Sequence, residues 1–130
     1  MIIIWIHFNN NPVARRVGDC SVRAVSVALG ISWEDSYALL AAAGYAMGDV
    51  ISSNEVITAV LRQHGFYRKA VRDDCPDCYT IADFCRENPR GTYVLFTSGH
   101  VVTAIDGDIY DVWDSSDETP MFYCYREDDF

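Results

Sequence analysis

The sequence is poor in basic residues and contains no long hydrophobic run. Lys69 is its only lysine, and 10 basic residues stand against 19 acidic ones, which results in a formal net charge of −9. Because so acidic a surface repels a phosphate backbone, we expect no binding of nucleic acid through a basic face. The apolar residues 1–8 are far too few to span a bilayer and have no basic n-region, so they predict a buried strand. No other run approaches membrane length, so we expect a soluble, cytoplasmic protein that does not contact a membrane.

The chain also lacks an even number of cysteines, an internal repeat and a linker. Its 5 cysteines are an odd number. Without a secretion signal they are expected to be reduced, and to serve in packing, metal binding or catalysis. At 130 residues, half of them apolar, the sequence predicts a single domain, 1–130, that is large enough to bury a core.

Signals for helices come first along the chain, and signals for strands follow. Capping residues and helical spacing of apolar residues predict helices that start at Asp19, Ser32, Ser52 and Thr80. Alternating apolar residues then predict strands at 93–97, 100–105, 109–113 and 121–125. Residues 68–79 are predicted as a long loop. Helices followed by antiparallel strands are typical of an α+β fold.

Cys20 stands at the start of the first predicted helix, directly after the candidate N-cap Asp19. There the sulfur lies near unpaired backbone N–H groups and the positive end of the helix dipole, and both favour the thiolate. The position therefore indicates an activated nucleophile. The alternative is a small buried hydrophobic side chain, which is the usual role of a free cysteine.

The candidate base is His100, at the start of an alternating strand. A glycine in the connection between Ile105 and Ile109 predicts a β-hairpin. If these two isoleucines pair across a three-residue connection, His100 lies directly opposite Asp114, and Cβ atoms so placed are about 5 Å apart. The carboxylate would then fix the imidazole tautomer and favour the imidazolium that pairs with a thiolate.

Each of these two residues also has a simpler interpretation. His100 could be a strand-end histidine bonded to the backbone, and Asp114 could be an ordinary turn residue. Asp111 is the other candidate for orienting the histidine, but in the predicted register it lies on the opposite face, beside Thr103. Because a shift of one residue exchanges the faces of a strand, the assignment of Asp114 depends on the register.

Three short motifs around these residues resemble the papain-like cysteine peptidase clan, in particular C39-like peptidases and small phage and bacterial cysteine-peptidase-like proteins: Gly18-Asp19-Cys20, Gly99-His100 and Trp113-Asp114-Ser115. The clan has its cysteine, its histidine and then an asparagine or aspartate in that order, on a helix, a strand and the following strand. The resemblance implies a papain-like fold and a catalytic triad of Cys20, His100 and Asp114. It also implies hydrolysis of a peptide or protein substrate by acyl transfer, without a cofactor.

The sequence departs from the clan at one position. Papain-like enzymes commonly have a glutamine six residues before the cysteine that helps to form the oxyanion hole, and here that residue is Ala14. Asn11 is the candidate replacement, with Asn10 or Arg16 as alternatives, and the backbone N–H of Cys20 would be the other donor. The missing glutamine leaves open a second function, a non-catalytic papain-like domain that binds a protein partner through the same cleft.

A C-x-x-C pair, Cys75 and Cys78, raises the further alternative of a zinc-stabilised adaptor. Zinc needs four ligands, so Cys85 and Cys124 would have to complete the site, although nothing in the sequence brings them together. A thioredoxin-like redox role needs the pair to open a helix, and Thr80 is the better cap of the helix that follows. The pair is most simply part of a loop with small buried side chains. No metal or cofactor is therefore expected, and the oligomeric state is left open.

Overall fold

Capping residues mark where the helices begin, and glycines mark where two of them end. The computed structural model describes residues 2–71 and 79–126, and its helices are α1 (Cys20–Leu29), α2 (Trp33–Met47), α3 (Asn54–Gln63) and α4 (Ile81–Glu87). The side chains of Ser32, Ser53 and Thr80 cap α2, α3 and α4. Gly30 and Gly48 end α1 and α2 in the left-handed conformation that glycine adopts at low cost. The four predicted helices are confirmed. None of the described helices combines the length and hydrophobicity needed to cross a membrane.

The described residues also form one sheet of 6 strands: β1 (Ile4–His7), β2 (Tyr67–Ala70), β3 (Thr92–Thr97), β4 (His100–Ile105), β5 (Asp108–Asp111) and β6 (Phe122–Tyr125). Their spatial order is β1-β5-β4-β3-β6-β2. All neighbouring pairs are antiparallel except β1 and β5, which are parallel. The α+β class is thus confirmed, whereas β2 occupies part of the segment that the sequence predicts as a loop.

The first strand is less buried than its sequence predicts. Ile4 is 50% exposed and Trp5 is 38% exposed. Because β1 is at the edge of the sheet and, among the described strands, pairs only with β5, one of its sides has no neighbouring strand within that part of the chain. The prediction of a buried strand is right about the strand and wrong about the burial.

Two core clusters lie on opposite faces of the sheet. Successive residues of β3 alternate between them, since side chains alternate across a strand. Val94 and Phe96 pack with α1, α2 and α3. Tyr93 and Leu95 pack with α4. β3 is buried along its whole length, so it forms the centre of the core.

Packing of α1 against β4 positions the candidate site. Thr103 in β4 donates a hydrogen bond from Oγ1 to the carbonyl oxygen of Ala24 in α1, at 2.6 Å. Val101 of β4 belongs to the same core cluster as the buried side of α1. Because Cys20 is the first residue of the helix and His100 the first residue of the strand, this packing brings the two together.

Candidate active site

Cys20 lies half-buried in a cleft of about 310 Å³. Asp19 occupies the predicted N-cap position, but its side chain makes no capping hydrogen bond. The carboxylate accepts instead from the side chains of Arg23 and Trp33. The first turn of α1 is therefore left without a side-chain cap from Asp19. Nine other residues line the cleft: Arg16, Val17, Gly18, Asp19, Arg23, Gly99, His100, Val112 and Trp113.

His100 and the thiol of Cys20 lie close enough for each to shift the pKa of the other. Burial opposes ionisation of this thiol, but hydrogen bonds from His100 and from the backbone N–H of Val101 hold its pKa below the ordinary value. Burial likewise opposes protonation of His100, yet the hydrogen bond to Asp111 and the contact with Cys20 raise its pKa to about 9. Both shifts favour a thiolate–imidazolium pair at neutral pH.

The acid that holds His100 is Asp111 and not Asp114. Nε2 of His100 lies 2.7 Å from Oδ2 of Asp111, and Asp111 is completely buried. Asp114 is exposed in the turn that follows β5, where its carboxylate accepts a hydrogen bond from the backbone N–H of Ser116. The predicted contact between His100 and Asp114 is therefore wrong, and the three side chains that meet are Cys20, His100 and Asp111.

The hairpin turn explains this correction. Only two residues, Asp106 and Gly107, connect β4 to β5, and both have positive φ, 50° and 85°. Two-residue hairpin turns favour this conformation, and Asp-Gly is a typical sequence for them. As a result Ile105 pairs with Asp108 and not with Ile109. The strands are shifted by one residue from the predicted register.

That shift exchanges the faces of β5. Tyr110 lies opposite Thr103, where the predicted register has Asp111. Asp111 is thereby turned to the face that His100 shares. In addition, β5 ends at Asp111, so the strand does not extend as far as Asp114.

Four donors surround the Asp111 carboxylate. Oδ2 accepts from Nε2 of His100 and from Oγ of Ser115, each at 2.7 Å. Oδ1 accepts from Nη2 of Arg23 at 3.1 Å and from the backbone N–H of Val112 at 2.8 Å. Burial opposes the charged form, but the hydrogen bonds from His100, Ser115 and the backbone of Val112 lower the pKa of Asp111, so it stays ionised beside His100. Sequence analysis missed Arg23, because no local pattern links it to an acid 88 residues away.

Trp113 covers the other side of the imidazole. Its ring centroid lies 5.0 Å from that of His100, and its side chain lines the cleft. The indole therefore limits access of water to the ring of His100 while remaining partly exposed itself.

Of the three side chains predicted for the oxyanion hole, Arg16 alone lines the cleft. Asn11 uses its side-chain oxygen to accept a hydrogen bond from the backbone N–H two residues further on. Asn10 donates to the hydroxyl of Ser26. Neither asparagine lines the cleft, so the assignment of Asn11 is not supported by its position. The groups that act on the sulfur itself are the side chain of His100 and the backbone N–H of Val101.

The other cysteines do not form a second site in the part of the chain that is described. Cys75 and Cys78 lie outside the described residues. Cys85 and Cys124 are buried in different core clusters, on opposite faces of the sheet, so they do not complete one zinc site. Burial raises their pKa values to about 12 and about 11, which makes both thiols unreactive. Within residues 2–71 and 79–126 no group of three potential ligands is placed to hold a metal ion.

Comparison of the chain with protein-family models, with curated proteins and with solved structures finds no match. A function is therefore argued from the cleft and its residues.

Proposed function

We propose that the chain is a papain-like cysteine hydrolase, a peptidase or isopeptidase, in which Cys20 is the nucleophile, His100 the base and Asp111 the residue that orients the histidine. The observation that supports this function is that His100, hydrogen-bonded to the buried Asp111, interacts with the thiol of Cys20 in one open cleft. These residues come from α1, β4 and the end of β5. A cysteine that only fills space in a core has no need of a charged partner.

The two nitrogens of His100 have different roles in the proposed mechanism. Because Nε2 is held by Asp111, Nδ1 is the nitrogen that faces Cys20. The thiolate attacks the carbonyl carbon of the substrate, and Nδ1–H gives its proton to the leaving amine as the C–N bond breaks. The product is a thioester on Cys20. Neutral His100 then takes a proton from a water molecule, whose oxygen attacks the thioester, releases the acid and restores the thiolate–imidazolium pair.

The oxyanion of the tetrahedral intermediate forms near the N-terminus of α1. The backbone N–H of Cys20 is one donor there. Arg16 is the other, since it lines the cleft, is exposed and makes no ion pair with a described residue. A guanidinium brings a full charge to the oxyanion, so it replaces the amide donor that papain-like enzymes commonly take from glutamine.

A peptide or protein is the substrate that fits this cleft. Gly18 and Gly99 lie on its walls beside Cys20 and His100. Apart from each glycine and its two chain neighbours, no heavy atom lies within 4 Å of the place that a Cβ would occupy there. An extended backbone can therefore approach the sulfur closely. The described cysteines Cys20, Cys85 and Cys124 are all free thiols, which suits a reducing compartment such as the cytoplasm.

Selective alkylation tests the reactive pair. The folded protein is treated with limiting iodoacetamide at pH ~5.5, well below the usual thiol pKa of about 8.5, and the label is mapped by mass spectrometry. We expect labelling of Cys20 alone, and loss of that labelling in His100→Ala. Slow labelling spread over several cysteines would mean that Cys20 is an ordinary thiol.

Turnover separates the hydrolase from the second candidate, a papain-like domain that binds a protein partner. The observation that favours the second candidate is that no asparagine or glutamine side chain lines the cleft. With p-nitrophenyl acetate, a hydrolase releases a burst of p-nitrophenol, carries the acetyl group on Cys20 and continues to turn over. A protein that is alkylated selectively but neither acetylated nor able to turn over would be the binding domain.

A further inference from the structure

A buried ion-pair chain lies behind the candidate triad and is not used by the chemistry described above. Nη1 of Arg23 donates to Oδ1 of Asp19 at 2.9 Å, and Nη2 donates to Oδ1 of Asp111 at 3.1 Å. The far side of Asp19 accepts a hydrogen bond from Nε1 of Trp33 in α2 at 3.0 Å. Arg23 is only 3% exposed and Asp19 only 6%. One guanidinium thus joins α1, β5 and, through Asp19, α2.

An arginine is suited to this place for a geometric reason. Its planar guanidinium carries donors on both terminal nitrogens, so it can hold one carboxylate with each of them. In Asp111 the bond from Arg23 is to Oδ1, whereas the bond from His100 is to Oδ2. With both oxygens held, the carboxylate cannot rotate away from the imidazole.

The charge of Arg23 matters as much as its shape. Asp19 and Asp111 are two buried carboxylates on either side of it, and a buried carboxylate without a cation tends to take up a proton. A protonated Asp111 would no longer favour the imidazolium form of His100. Cys20 is a further ionisable group near Arg23, and the charge of Arg23 is the last and smallest of the causes that lower the pKa of its thiol. Arg16 lines the same cleft, and His7 of β1 is the register partner of Asp111 at the exposed sheet edge.

We propose that Arg23 is a positioning residue of the active site: it keeps Asp111 ionised and oriented toward His100, and it is itself anchored by Asp19 and Trp33. This inference rests on the proposed function, because it assigns Arg23 a part in forming the thiolate–imidazolium pair. It also explains why Asp19, directly before the nucleophile, does not cap its own helix. Its carboxylate is engaged in holding Arg23.

The test compares the pH profiles of Cys20 alkylation in Arg23→Gln and in the unaltered protein. Without the guanidinium, less of Cys20 is thiolate at low pH. We therefore expect the midpoint of the profile to rise by about one pH unit, which lowers the rate about tenfold at any pH below both midpoints. Arg23→Lys keeps the charge but not the fork, so it should recover only part of the loss. Full recovery by lysine would overturn the role of the fork.

Two further variants separate positioning from a structural or a direct electrostatic effect. Val25→Ala removes a fully buried side chain of the same helix, and should lower the melting temperature without moving the pH profile. In Asp111→Asn, the additional change Arg23→Gln should alter the rate by less than about twofold, because the path through Asp111 is already broken. An undiminished effect in that background would mean that Arg23 acts directly on Cys20, and the proposal would be wrong.

The outcomes also distinguish this inference from the proposed function. If Cys20 is labelled selectively through His100 but the profile of Arg23→Gln is unchanged, only the role of Arg23 is refuted. If Cys20 of the unaltered protein is an ordinary thiol, both proposals fall. If Arg23→Gln does not fold, the pH profiles of Arg23→Lys and Trp33→Phe take its place as the test. A profile that is unchanged in both variants would refute the inference. Trp33→Phe removes only the hydrogen bond to Asp19, and a partial shift in the same direction would support it.

Discussion

Replacing Asp111 with asparagine removes the charge that holds His100 while keeping the shape of the side chain. Asp111 accepts four hydrogen bonds in a completely buried position. The amide of an asparagine has one acceptor oxygen and one donor group, so two of the four donors would face an NH₂ group. The replacement therefore leaves buried donors without an acceptor, and it also removes the charge opposite the imidazolium.

The size of the effect follows from the bond to the imidazolium. A hydrogen bond to a charged group contributes about 1.5–3 kcal/mol, which corresponds to about 10- to 150-fold in an equilibrium. We expect the alkylation rate of Cys20, measured below the midpoint of its pH profile, to fall by a factor in that range in Asp111→Asn. The assay is the pseudo-first-order rate with iodoacetamide on protein whose folding has been checked by circular dichroism.

Asp114→Asn is the matched control. Asp114 is exposed, and its carboxylate accepts a hydrogen bond within its own turn. We expect the rate in this variant to stay within about twofold, because exposed charges outside a site contribute little. The reasoning would be refuted if Asp114→Asn slowed alkylation while Asp111→Asn did not, since that result would restore the register expected from the sequence.

Two more predictions concern His100 and Arg16. An NMR titration of the His100 imidazole should give a pKa of about 9: the ring is protonated below that pH and loses its proton as the pH rises through it. The value should fall in Asp111→Asn, and a midpoint near 6.5 in the unaltered protein would contradict the assigned contacts. Arg16→Ala should lower kcat for p-nitrophenyl acetate about tenfold or more, as loss of an oxyanion donor does, without moving the pH midpoint of alkylation. Arg15→Ala is the control, since this neighbouring arginine does not line the cleft, and an equal loss in both variants would mean that Arg16 is not an oxyanion donor.

The register of the β4–β5 hairpin is the point at which sequence analysis and structure disagree. The segment between Ile105 and Ile109 can be connected through two or three residues, and the two choices differ by a one-residue shift. Asp106-Gly107 is itself a typical two-residue turn, and that signal favours the observed pairing. With the two-residue turn, Asp111 and not Asp114 shares a face with His100. The signal for the correct acid was therefore present in the sequence.

Other residues of the site have no such signal. Arg23 meets Asp111 across 88 residues of chain, and Trp33 meets Asp19 across 14. Ser115 stands in one of the motifs, but its hydrogen bond to Asp111 depends on how the chain turns after β5. These contacts arise only when α1 and α2 pack on the sheet, so they are invisible to local patterns of apolar residues and caps.

Local chemistry in the sequence alone determined where the helices begin, that Cys20 is the first residue of one of them, and that His100 opens a strand. Caps, turn residues and apolar spacing act within a few residues, so they can be recognised without a fold. The tertiary structure decided which aspartate holds the histidine, which side chains reach the cleft and which arginine is buried. These depend on one residue of register and on packing between distant segments, where small local differences select between alternatives of similar pattern.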